Sequence, residues 1–111
     1  MHKSRTVVFN IEANGLNPDK IWCVNCKDIE TNETVVFRGP DLDLRGLHEY
    51  FSTVTRCIGH NICNYDVPVL ERLVHGIKLN DPVDTLVISR LLDYNRSGGH
   101  SLGAWGPTFG L

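Results

Sequence analysis

Apolar and polar side chains alternate from Thr6 to Glu12, and this alternation constrains the fold more than any other feature of the chain. A period of two is typical of a half-buried strand, because successive side chains point to opposite faces of a sheet. One face carries Val7, Phe9 and Ile11, and the other carries Val8, Asn10 and Glu12. The sequence therefore predicts a sheet whose first strand presents two polar side chains, Asn10 and Glu12, on one face.

A β-hairpin is predicted to follow this strand. Ile21 to Ile29 and Thr34 to Arg38 have strand composition, and only the short polar link at residues 30–33 separates them. A connection this short favours antiparallel pairing of the two strands.

The apolar spacing becomes helical after Gly39-Pro40. The predicted elements of this part are a helix over residues 44–54 capped by Asp41 or Asp43, a buried strand at Arg56 to Gly59, and helices over residues 67–74 and 84–92. Strands followed by alternating helices and strands indicate an α/β fold, a mixed sheet with helices packed against it. At 111 residues the chain has room for one domain, predicted as residues 1–94, with a glycine-rich loop or tail at 95–111.

Charge and hydropathy exclude several functions. The net charge is −2, from 11 basic and 13 acidic side chains, so no broad basic face for phosphate is predicted, and any nucleic-acid contact must be local. No apolar run approaches the roughly 18 to 20 residues of a membrane span, and the first residues lack a signal-peptide pattern. We therefore expect no membrane association and a cytoplasmic location.

The four cysteines are Cys23, Cys26, Cys57 and Cys63, and the first two have the spacing of a zinc knuckle or a redox pair. Both lie in a predicted strand, where residues three apart point to opposite faces and do not share a metal without a turn. Free thiols are therefore favoured, and zinc remains the alternative.

Oxygen-bearing side chains on two segments predict a cation site. Asn10 and Glu12 project side by side from the first strand, and chain topology can carry Asp66, at the start of a helix, to the end of that strand. Oxygen ligands suit Mg²⁺ or Mn²⁺. A carboxylate at a helix start can also simply cap the helix, which is the favoured interpretation for Asp84 and the alternative for Asp66.

Four ordered runs, IEANGL, HNICNYDVPVLERL, DTLVISRLL and GGHSLGAWG, resemble the proofreading 3′–5′ exonuclease domain of family A DNA polymerases from short-tailed bacteriophages. That domain belongs to the DEDD exonuclease superfamily, which has a ribonuclease H-like fold. The resemblance covers most of the chain from Thr6 to Gly106. It implies metal-dependent hydrolysis of the 3′-terminal phosphodiester of single-stranded DNA.

The resemblance also implies roles for individual residues. Glu12 and Asp66 occupy metal-ligand positions, and Asn10 occupies a third such position that is normally aspartate. The substrate side of the site is implied to consist of Asn61 and Tyr65 in the second motif and of Ala13, Asn14 and Leu16 in the loop that lies against the 3′-terminal nucleotide. Apolar contacts suit such a loop, because frayed single strands are held by stacking rather than by base readout.

The chain departs from the family pattern in ways that predict impaired catalysis. Asn10 is neutral, and no tyrosine or histidine is followed by an aspartate at the offset of the third motif, so the domain is expected to be truncated before that motif. Two dications about 4 Å apart repel each other by about 4 kcal/mol in water and about 16 kcal/mol at an effective dielectric of 20. Glu12 and Asp66 alone do not offset that repulsion.

Two alternatives stay open at this stage. The chain is an inactive phage protein that binds a host protein or nucleic acid as an inhibitor or regulator, or a second copy or a polymerase partner completes the site. The first is favoured by the missing third motif, and the nuclease is favoured by retention of Glu12, Asn61, Tyr65 and Asp66.

Overall fold

A computed structural model of the chain describes residues 4–92 and 99–101. The elements in chain order are β1 (Thr6–Ala13), β2 (Ile21–Asp28), β3 (Thr34–Arg38), α1 (Leu44–Ser52), β4 (Arg56–Gly59), α2 (Asp66–Leu73), β5 (Pro82–Asp84) and α3 (Thr85–Leu92). The predicted α/β class is confirmed: the chain forms a mixed sheet with flanking helices.

The five strands lie in the order β3-β2-β1-β4-β5. β1, β2 and β3 pair antiparallel, as the predicted hairpin requires, whereas β4 pairs parallel with both β1 and β5. The sequence prediction missed β5, because its three residues give no periodicity and include Pro82. Proline lacks the N–H that a strand interior needs, so it is found at the first residue of a strand or at a sheet edge, and Pro82 occupies both positions.

The core lies on one face of the sheet. Val7, Phe9 and Ile11 of β1 are buried there, and Leu47 and Phe51 of α1 pack on the same cluster. The rings of Phe9 and Phe51 meet edge to face with centroids 5.3 Å apart. Val69 and Leu70 of α2 complete this layer, so α1 and α2 cover the face predicted to be apolar.

Local hydrogen bonds define the ends of the first helix and the hairpin. Asp43, one of the two predicted caps, accepts a hydrogen bond from the Gly46 N–H at 2.8 Å at the start of α1. In the β2–β3 turn the Asp28 carboxylate accepts from the N–H groups of Glu30 and Thr31. Arg5 donates to the same carboxylate at 3.1 Å, which fixes the hairpin to the start of β1.

Most of the predicted tail at 95–111 lies outside the described residues. In the part of the chain that the structure describes, no helix is long and apolar enough to cross a membrane.

Candidate functional site

Asn10 and Glu12 project from the open face of β1, opposite the core, and both are exposed. In the antiparallel register Asn10 lies opposite Asn25 and Glu12 lies opposite Cys23. The register shifts directly after Glu12, so that Ala13, the half-buried last residue of β1, pairs with Ile21. The two polar side chains predicted from the alternation therefore stand together at the end of the central strand.

Asp66 reaches β1 from the other side. The parallel pairing of β1 with β4 runs only as far as Val8 and Ile58. Beyond it, the Asp66 carboxylate accepts a hydrogen bond from the Ile11 N–H at 2.9 Å. Ile11 is the residue between Asn10 and Glu12, so the three predicted metal-ligand residues converge on one short stretch of backbone.

Asp66 is not the N-cap residue of α2. The N-cap of α2 is Tyr65, which makes no side-chain capping bond, and Asp66 is the first helical residue. Asp66 is 6% exposed. Burial raises the pKa of this carboxyl above its ordinary value and outweighs the Ile11 N–H bond, which favours the charged form, and the nearby Asp84 charge adds to the increase. A cation beside Asp66 would relieve this cost.

Asn10 is held by its cross-strand neighbour. The Asn25 amide NH₂ donates to the Asn10 carbonyl oxygen at 3.1 Å. Asn25 did not emerge from the sequence as a site residue, since nothing in the strand pattern marks which polar residue of β2 faces Asn10. The oxygen that would serve as a cation ligand at position 10 therefore already accepts one hydrogen bond.

The loop at residues 14–20 is closed by Asn14. The side-chain amide oxygen of Asn14 accepts hydrogen bonds from the backbone N–H groups of Asp19 and Lys20, both at 3.1 Å. The backbone N–H of Asn14 donates to the Lys20 carbonyl. The side chain predicted to touch substrate thus shapes the loop. Leu16, at the tip, is 95% exposed.

Two side chains at the start of α2 and within it anchor this loop. The Tyr65 hydroxyl donates to the Gly15 carbonyl, and the Arg72 guanidinium of α2 donates to the Pro18 carbonyl. Pro18 is fully buried. The predicted substrate-side residues Tyr65 and Leu16 therefore belong to one connected unit, with the apolar Leu16 presented on an anchored loop.

Asn61 occupies a left-handed backbone conformation with φ +60°, which asparagine tolerates better than most residues. Asp84, at the end of β5, holds this conformation: its carboxylate accepts from the N–H groups of Asn61 at 2.8 Å, Cys63 at 3.0 Å and Leu86 at 2.9 Å. Burial alone would raise the pKa of Asp84, but these N–H donors lower it below the ordinary value. The predicted helix-cap role is confirmed in the bond to Leu86, and the bonds to Asn61 and Cys63 extend it.

The four cysteines are free thiols. Cys26 and Cys57 are buried, Cys23 is partly buried and Cys63 is exposed. Burial raises the pKa of the Cys26 thiol to about 12 and that of Cys57 to about 11. The two buried thiols are therefore protonated at neutral pH, as expected of small core residues.

The donor set at β1 suits one hard cation better than two. Glu12 and Asp66 supply carboxylate oxygens, whereas the Asn10 oxygen is neutral and already bonded to Asn25. Among residues 4–92 and 99–101, no group of three or more histidine, cysteine, aspartate and glutamate side chains is placed to hold a metal ion. Of the predicted ligand residues, Glu12 and Asp66 are the two whose carboxylates could hold a cation.

A family model described as the RNase_H superfamily matches residues 7–103. The chain belongs to the RNase_H superfamily. The match begins in β1 and continues past α3, so it includes Asn10, Glu12, Asn61 and Asp66.

Solved structures show the same fold. The family B DNA polymerase from the hyperthermophilic archaeon Pyrobaculum calidifontis superimposes with a TM-score of 0.71 at 16% sequence identity, over 97% of this chain. The RNase_H superfamily domain described here spans 18% of that polymerase chain. A comparison with curated proteins finds no match.

Proposed function

We propose that this RNase_H superfamily domain is a metal-dependent 3′–5′ exonuclease domain for single-stranded DNA ends, of the proofreading type found with phage family A DNA polymerases. The observation that carries the proposal is the hydrogen bond from the Ile11 N–H to the Asp66 carboxylate, because it brings the second motif against the Asn-x-Glu stretch of the first. Similarity in fold to a DNA polymerase over 97% of the chain supports it.

Each residue has a distinct task in this mechanism. Glu12 and Asp66 hold Mg²⁺ or Mn²⁺, and Asp66 is oriented by the Ile11 N–H. When bound, the cation supplies a water of lowered pKa and charge stabilisation at the phosphate. Leu16 presents an apolar surface to the terminal nucleotide from a loop that Tyr65 anchors.

The proposed activity is attenuated at position 10. An aspartate there would add a negative charge beside Glu12 and Asp66, whereas Asn10 adds none and its oxygen accepts from Asn25. A second cation in the site would then face the repulsion of the first with only two carboxylates to offset it. We expect weak binding of one cation and slow nucleotide release.

The test compares the chain with Asn10→Asp. Cation affinity is measured by Mn²⁺ titration, and turnover by release of nucleotides from a 3′-labelled single-stranded oligonucleotide. We expect Asn10→Asp to tighten Mn²⁺ binding by about tenfold or more, since it adds a charged ligand, and to increase turnover less. Asn32→Asp is the matched control, because it makes the same change of charge away from the site. Asn32 lies in the β2–β3 turn, which Arg5 and Asp28 fix at the start of β1. Absence of Mn²⁺-dependent release from both the chain and Asn10→Asp would overturn the nuclease proposal.

A second candidate is a catalytically inactive domain that binds a host protein or nucleic acid as an inhibitor or regulator. The observation in its favour is the apolar surface of α3, where Leu91 is 80% and Leu92 is 77% exposed. Large exposed apolar side chains grouped on one helix are typical of interaction surfaces. A pull-down from host lysate distinguishes the two candidates: a stoichiometric protein partner retained by the chain and lost with Leu91→Ser and Leu92→Ser favours this one.

A further inference from the structure

Asn25 is the direct cross-strand partner of Asn10. The two residues face each other in the β1–β2 register, and the Asn25 NH₂ donates to the Asn10 carbonyl oxygen at 3.1 Å. Directly opposed side chains on one sheet face lie about 4.5–5.5 Å apart at Cβ, which is the separation at which two short amides can meet. The neutral residue at position 10 is therefore matched by a neutral hydrogen-bond donor on the neighbouring strand.

Asn25 and Asp66 flank β1 from opposite sides. The sheet order places β2 on one side of β1 and β4 on the other. Beyond the end of the β1–β4 pairing, the Asp66 carboxylate accepts a hydrogen bond on the β4 side of β1, from the N–H of Ile11. The bond from Asn25 therefore draws the Asn10 oxygen toward β2, away from Asp66.

The planar amide then fixes what Asn10 offers to the site. Its oxygen and nitrogen lie on opposite sides of Cγ, so an oxygen bonded to Asn25 leaves the NH₂ group pointing away from Asn25. An NH₂ group is a hydrogen-bond donor and does not bind a cation. In this orientation Asn10 contributes less to a cation site than its oxygen would allow.

We propose that Asn25 is a positioning residue that holds the Asn10 oxygen away from the cation and so sets the cation affinity of the site. The proposal rests on the proposed function for the role of the cation at Glu12 and Asp66. Asn10 is exposed and Asn25 is partly buried, so water competes for the hydrogen bond between them. When the Asn25 donor is removed, the Asn10 oxygen becomes available to a cation. The other β2 residues on this face do not have this role, since Cys23 lies opposite Glu12 and Lys27 lies opposite Val8.

The experiment is a double-mutant cycle on Mn²⁺ affinity, measured by titration with electron paramagnetic resonance. Valine replaces Asn25, because it suits a strand and makes no side-chain hydrogen bond. We expect Asn25→Val to tighten Mn²⁺ binding by about three- to tenfold, the range of one net hydrogen bond. In an Asn10→Ala background the same substitution should change Mn²⁺ affinity by less than about twofold. An equal gain in both backgrounds overturns the proposal, because it would show that Asn25 acts through the strand and not through Asn10.

A second readout does not depend on metal or activity. The side-chain NH₂ resonances of Asn25, observed by ¹⁵N NMR, are expected to shift and to exchange faster with water in Asn10→Ala, and unchanged resonances would show that the bond is absent in solution. The double variant Asn10→Asp, Asn25→Val is expected to bind Mn²⁺ most tightly. If the NMR result is as expected but no variant binds Mn²⁺, the hydrogen bond stands, and both the proposed function and the role of Asn25 in cation binding are wrong.

Discussion

The Asp66 carboxylate accepts a hydrogen bond from the Ile11 N–H at 2.9 Å, joining two segments that are 55 residues apart in sequence. This bond forms where β4 stops pairing with β1, so a side chain at the start of α2 replaces a strand as the partner of β1. The consequence is a buried acid beside two exposed polar side chains, Asn10 and Glu12. Burial raises the pKa of Asp66, so its charged form costs free energy in the folded protein.

Asp66→Asn is expected to abolish Mn²⁺ binding without destabilising the fold. The pKa of Asp66 is raised by burial, so its contribution to stability is present below its ordinary pKa of 3.8 and is lost as the pH rises through the folded value. The asparagine carries no charge and keeps an oxygen for the Ile11 N–H. At pH 7 the free energy of unfolding of the variant should lie at most about 0.5 kcal/mol below that of wild type. Urea denaturation in EDTA measures both values.

The pH dependence of this difference serves as the control for Asp66→Asn. The stability of the variant relative to wild type should decrease as the pH falls below the folded pKa of Asp66, since the wild-type acid is then neutral too. A loss of several kcal/mol at pH 7 would contradict the prediction and identify Asp66 as a structural residue.

Gly59→Ala is expected to destabilise the protein by about 1–3 kcal/mol, because its Cβ would lie 2.2 Å from Ile62 Cγ2 and 2.8 Å from the Phe9 carbonyl oxygen. Gly59 ends β4, so the shift needed to relieve this contact moves the segment that leads to Asp66. Thermal denaturation measures the loss. Gly39→Ala is the matched control, since its Cβ would meet only ordinary contacts, the nearest at 3.7 Å, and a similar loss in both variants would show that close packing at Gly59 is not the cause.

Asp84 is expected to control stability in acid. Its pKa is lowered below 3.8 by the N–H groups of Cys63, Asn61 and Leu86, which overcome the effect of burial. A lowered pKa gives stability that is fully present above the unfolded value and is lost as the pH falls through the folded value. Urea midpoints measured from pH 6 to pH 2.5 should therefore fall less steeply below pH 3.8 for Asp84→Asn than for wild type.

Asp84→Ala extends this test at pH 7. It leaves the N–H groups that the carboxylate satisfied without a partner, so we expect a loss of about 3 kcal/mol. Asp41→Ala is the control, since Asp41 is an exposed aspartate whose backbone is not left-handed. Equal losses for the two variants would contradict the role assigned to Asp84.

Most of the fold could be predicted from the periodicity of apolar residues in strands and helices. The alternation in β1 separated the buried face from the face of Asn10 and Glu12, and helical spacing located α1 and α2 to within a few residues. β5 was missed because Pro82 and two further residues carry no periodic signal. Its position is set by parallel pairing with β4, which is a tertiary interaction.

The sequence named candidate site residues, and neither Asn25 nor the contacts among them could be predicted from it. The resemblance pointed to Glu12 and Asp66. The pairing of Asn10 with Asn25 depends instead on the β1–β2 register, which the irregular turn between these strands sets. The register shift after Glu12 has no sequence signature. In the same way the sequence marks Asn14 as a polar loop residue, and only the structure shows that its side chain closes the loop onto Lys20.

Leu16→Ala is expected to weaken binding of single-stranded DNA by about three- to tenfold while leaving stability within about 0.5 kcal/mol of wild type. Leu16 is 95% exposed, so the fold gains little from it, and it stands on a loop that Tyr65 and Arg72 anchor. Fluorescence anisotropy with a 3′-labelled oligonucleotide measures the affinity. Ile29→Ala is the matched control, because Ile29 is also an exposed aliphatic residue, at 50%, but follows β2 beside the start of β1. Equal weakening by both substitutions would show that the loss reflects general apolar contact, and no weakening by Leu16→Ala would remove the loop from the proposed DNA site.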